Sequence, residues 1–115
     1  MSRKPLLLLL LLAGACSKGP EADLQYIKQA RSLGAEWAMV NEQASRGTLT
    51  DTYVRSMRRW LRDGLNSSLT SLTVPNSRHA AEIRALLAQP DDSAPQELRA
   101  HSDKLKQIED QLESA

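Results

Sequence analysis

Four arginines stand close together at Arg55, Arg58, Arg59 and Arg62. A guanidinium is permanently charged and planar, and its fork of donors matches the oxygens of phosphate or carboxylate. If the surrounding segment is helical, Arg55, Arg59 and Arg62 fall within about 60° of one another. Such a flank could grip lipid phosphates or an acidic partner. The simpler expectation is a solvated face, with Asp51 and Asp63 at its ends and Glu36 or Glu42 across a hairpin. Trp60, beside Tyr53 and off the centre of its apolar stripe, is a candidate interface aromatic, whereas Trp37 is placed as a core residue.

Other reactive side chains are sparse. The two histidines, His79 and His101, form no i, i+4 ligand pair. His101 lies on an apolar seam, where an imidazole needs one hydrogen-bond partner, and Glu97 stands one turn before it. Asp91-Asp92 precedes Ser93 and suits a helix start better than a cation site. Glu109, Asp110 and Glu113 fit a solvated face on which Lys106 pairs with Glu109 or Asp110. No nucleophile elbow, zinc-protease helix, P-loop or dinucleotide fingerprint is present, so neither a catalytic residue nor a metal or cofactor site is assigned. The reading is of a non-enzyme.

The lone cysteine, Cys16, has a different context. Met1-Ser2-Arg3-Lys4 is a basic start, Leu6 to Leu12 is an unbroken leucine run, and Ala13-Gly14-Ala15 are small residues leading into Cys16. That order describes a secretory signal peptide over residues 1–15. Its apolar stretch would be about 15 Å long as a helix, half of the roughly 30 Å of hydrocarbon in a bilayer.

Leu12-Ala13-Gly14-Ala15-Cys16 resembles the lipobox of bacterial lipoproteins. The resemblance covers only the leader and the cysteine, and Ala13 stands where that family usually has leucine. It implies diacylglycerol on the Cys16 sulfur, cleavage before Cys16, and anchoring to a membrane. Ser17 in place of aspartate then favours the periplasmic face of the outer membrane. Ala13-Gly14-Ala15 also satisfies the rule for ordinary signal peptidase, which would release a soluble periplasmic or secreted protein, inhibitor-like or chaperone-like, cut at the same bond.

These groups must be positioned by helices. Residues 16–20 read as a short polar tether and residues 21–115 as one domain. The first helix is expected from Glu21 to Arg46, with Glu21 and Asp23 complementing its dipole and Gly47 closing it. Its seam is Tyr26, Ala30, Leu33, Trp37, Val40 and Ala44, at spacings of 4, 3, 4, 3 and 4. The second is expected from a Thr50 cap to Pro75, burying Val54, Met57, Leu61, Leu65, Ser68 or Leu69, and Leu72. So short a connection makes the pair an antiparallel hairpin.

A third, shorter helix starts at Asn76 or Ser77 and carries Ala80, Ile83, Leu86 and Leu87. Ser93 with Gln96 has capping-box spacing, and Pro95 suits the first turn of a fourth helix with Leu98, His101, Leu105, Ile108 and Leu112 on its seam. The fold class is all-α, a small bundle of three to four helices built on that hairpin.

The whole chain carries 15 basic and 14 acidic side chains, a formal charge of +1. Loss of residues 1–15 removes Arg3 and Lys4 and makes it −1. That balance gives no pull toward nucleic acid. The expected partners are a membrane through the lipid on Cys16, an envelope protein and a second copy of the chain, docked on a leftover seam of which the fourth helix's is the first candidate. The expectation is a non-catalytic envelope lipoprotein acting as a tethered binding or structural accessory.

Overall fold

The computed structural model describes residues 19–115. The predicted leader over residues 1–15, Cys16 and most of the predicted tether lie outside the described residues. A 3-10 turn, Pro20–Asp23, leads into four helices: α1 Leu24–Ser45, α2 Asp51–Ser71, α3 Arg78–Leu87 and α4 Pro95–Glu113. No strand occurs among the described residues, and no described helix is long and apolar enough to cross a membrane. The all-α bundle is thus the observed fold, with the predicted hairpin as its base.

Local signals set the helix ends. Gly47 adopts φ 71°, the left-handed region that only glycine enters at little cost, and the Thr48 amide reaches back to the Gln43 carbonyl at 3.2 Å. Thr50 accepts the Tyr53 amide at 3.2 Å, and Ser77 accepts that of Ala80 at 3.1 Å. Leu49 packs against the core that contains Val54, as a hydrophobic staple requires.

α1 is the central element. Leu33 meets α2 at Gly64, and Gly34 meets α3 at Leu86 and α4 at Ser102. Its buried set is therefore wider than the predicted seam: Ile27, Gly34, Ala38 and Asn41 join Ala30, Leu33, Trp37 and Val40, while Tyr26 and Ala44 are only half-buried. A two-helix seam needs a narrow stripe, but a helix with neighbours on both sides must bury about 160° of its circumference. Gly34 is small for a reason. A Cβ there would stand 2.9 Å from Leu86 Cδ2.

Three expectations are corrected. α2 stops at Ser71, four residues before Pro75, because the Thr73 and Val74 amides donate to the carboxylate of Asp23, at 2.7 and 3.2 Å, instead of extending the helix. Ser93 does not cap α4. Ala94 holds that position, and the Ser93 hydroxyl donates to Gln89 Oε1 at 2.7 Å. The α4 seam is not left over for a second copy either: Leu98, Leu105 and Ile108 are buried within the chain's own core.

Candidate functional site

α2 displays the four arginines because Thr50 and Asp51 start the helix and its apolar stripe turns Val54, Leu61 and Leu65 inward. The guanidiniums then diverge in role. Arg62 is consumed by structure. Its Nε donates to Asp91 Oδ1 at 2.6 Å, its Nη1 to the Leu87 carbonyl at 2.8 Å, and its Nη2 to the Gln89 carbonyl. Its Cζ lies 4.7 Å from the centroid of the Trp37 ring. One side chain thus neutralises a carboxylate, caps the C-terminal end of α3 and covers an indole face.

Arg58 is half-buried, and its Nε donates to Asn41 Oδ1 at 2.9 Å. Asn41 is itself fixed, because its Nδ2 donates to the carbonyls of Asp91 at 3.0 Å and Ser93 at 2.8 Å. The Asp91 carbonyl also accepts Trp37 Nε1 at 3.0 Å. The α3–α4 connection is thereby stitched to both helices of the hairpin.

Arg55 and Arg59 are exposed and make no ion pair among the described residues. Glu42 pairs with Arg99 at 3.1 Å and approaches Arg46, so it does not neutralise them across the hairpin. Arg55, Arg58, Arg59 and Arg62, with Asp63 and Asp91, line a shallow groove of about 380 Å³. The sequence-predicted flank therefore comes together as one site, with Arg62 as its buttress.

Trp60 is 56% exposed, with Tyr53 at 49% on the same side of α2, and Met39 is exposed on α1. Tyr53, Met57 and Met39 border a second depression of about 180 Å³. Trp37 is fully buried, as predicted.

The titratable cluster that sequence reading missed is centred on Asp23. Its carboxylate is buried and accepts the Thr73 amide, the Thr73 hydroxyl at 2.9 Å and the Val74 amide, and it meets His79 Nε2 at 2.8 Å. Burial alone would raise its pKa. The hydrogen bonds from Thr73, His79 and Val74 outweigh burial and hold the carboxyl below its ordinary value. His101 Nδ1 pairs with Glu82 of α3 and not with Glu97, because the packing of α3 against α4 delivers Glu82 to the ring. Asp91 pairs with Arg62.

Glu109, Asp110 and Glu113 lie close enough to share an ion, but all three already hold cations. Arg31 meets Glu109 at 2.7 Å, Lys106 meets Asp110 at 2.9 Å, and Lys28 meets Glu113 at 2.9 Å. What the described residues leave exposed on α2 is Arg55 and Arg59 without ion pairs, together with Tyr53 and Trp60. In comparisons with known proteins, no family model, curated protein or solved structure matches the chain significantly.

Proposed function

We propose that the protein is a small cell-envelope lipoprotein, anchored by diacylglycerol on Cys16, whose helical body works by binding rather than by catalysis. The supporting observation is the seating of Gly19. Its amide donates to the Thr73 hydroxyl at 3.2 Å, and that hydroxyl gives its one proton to Asp23, with the Gly19 carbonyl 3.1 Å away as the alternative acceptor. Gly19 is thus tied to the bundle, and only Ser17 and Lys18 stand between it and Cys16 in the sequence. Even fully extended, three residues reach only about 10 Å. A lipid at Cys16 would hold the Gly19–Thr73 end of the bundle against the bilayer, and two or three acyl chains make such a hold stable. Ser17 favours the outer membrane. The surfaces available for an envelope partner or a second copy are the arginine flank and the exposed Tyr53 and Trp60.

Intact-mass measurement of the mature native chain is the test. Added diacylglycerol mass, and release from the membrane fraction in Cys16→Ser, are expected. A bare thiol on a chain recovered in the periplasmic supernatant would overturn the reading. It would favour the soluble binder released by ordinary signal peptidase, which the Ala13-Gly14-Ala15 sequence also supports.

A further inference from the structure

We infer that Arg55, Arg58 and Arg59 form a binding site for a phosphate group carried on a larger molecule, in the groove between α2 and the α3–α4 connection. The charge balance of the groove is the first argument. Arg62 and Asp91 neutralise one another at 2.6 Å, which leaves Asp63 as the one other carboxylate lining the groove, and Asp51 and Asp92, beside Arg55 and Arg58 in neighbouring depressions, make no ion pair with them. Arg55 and Arg58 are three positions apart and Arg55 and Arg59 four, the spacings at which like charges on a helix repel. An anion placed among them converts that repulsion into attraction.

Preorganisation is the second argument. Asn41, only 5% exposed and tied to two backbone carbonyls, fixes the Nε of Arg58, whose two terminal nitrogens have no hydrogen-bond partner among the described residues. A guanidinium held in this way loses less rotamer entropy when it binds.

Donor count and volume define the ligand. One fork suffices for a carboxylate, whereas the several oxygens of a tetrahedral phosphate can engage three. About 380 Å³ falls within the usual range for small-molecule clefts, roughly 300–1,000 Å³, and exceeds what a bare oxyanion needs. Asp63, a carboxylate at the groove, provides an acceptor for a hydroxyl or ammonium on the same molecule. A phosphate ester bearing such a group fits all three constraints, whether as a lipid headgroup or as a soluble metabolite.

The mature chain carrying Cys16→Ser tests the site, because no acyl chain then contributes membrane affinity and the outcome is independent of lipidation. The two probes are glycerol phosphate in solution and phosphatidylcholine vesicles with or without phosphatidylglycerol. Saturable binding of glycerol phosphate would support the site with a soluble source. Binding confined to phosphatidylglycerol vesicles would support it with a lipid source. In either case R55Q/R59Q, which alters only exposed positions, lowers affinity at least tenfold with an unchanged melting curve. No binding of either probe, equal binding by R55Q/R59Q, or full affinity in R55K/R59K would overturn the proposal. The last result would reduce the effect to charge without the guanidinium fork.

Discussion

Asp23 Oδ2 lies 2.8 Å from His79 Nε2, although the two residues are 56 positions apart and both are buried. The same carboxylate holds the backbone at Thr73 and Val74. Asp23 therefore joins the entry to α1, the exit from α2 and the start of α3 at a single point. A buried carboxylate is tolerated here because every neighbour donates to it.

Asp23→Ala strands two backbone amides and an imidazole, and is expected to cost about 2–4 kcal/mol in denaturant unfolding. The pH dependence has a definite sign. The folded-state pKa lies below 3.8, so the stabilisation is complete above that ordinary value and disappears as pH falls through the lower folded value. Asp23→Asn should flatten this acid limb of the stability profile.

Arg62→Lys keeps the charge but cannot place three nitrogens on Asp91, Leu87 and Gln89 at once. A loss of about 1–2 kcal/mol is expected. Because the guanidinium lies over Trp37, the substitution should also alter the emission of the buried indole, read in a Trp60→Phe background.

The two tryptophans should behave oppositely. Trp37→Ala opens the centre of the core and loses the hydrogen bond to the Asp91 carbonyl, for a cost of about 3–5 kcal/mol. Trp60→Ala should stay within about 0.5 kcal/mol of the parent in thermal melts, since the side chain is more than half exposed.

Ser68 Oγ is buried without a hydrogen-bond partner among the described residues. Ser68→Ala removes a desolvated hydroxyl and improves helix propensity, so it should stabilise the protein by about 1 kcal/mol in the same melts.

The amino-acid sequence by itself determined the small helical bundle, the hairpin and the caps at Gly47 and Thr50, and narrowed the next cap to Asn76 or Ser77. Each depends on residues within a few positions of one another, where spacing and side-chain type report directly on backbone geometry. It also placed Trp37 in the core and gathered the arginine flank, because helical periodicity alone puts those residues on one side. The tertiary structure decided the remainder. Asp23 read as a dipole complement until Thr73, Val74 and His79 closed around it, and Glu97 read as the partner of His101 until α3 brought Glu82 to the ring. Arg62 looked equivalent to its neighbours until the α3–α4 connection settled beneath it, and the α4 seam looked spare until α1 proved to need neighbours on both sides. The physical reason is that a polar group takes whichever partner packing delivers and an apolar stripe whichever face packing leaves uncovered, and these neighbours come from elements distant in the chain, beyond the reach of a local spacing rule.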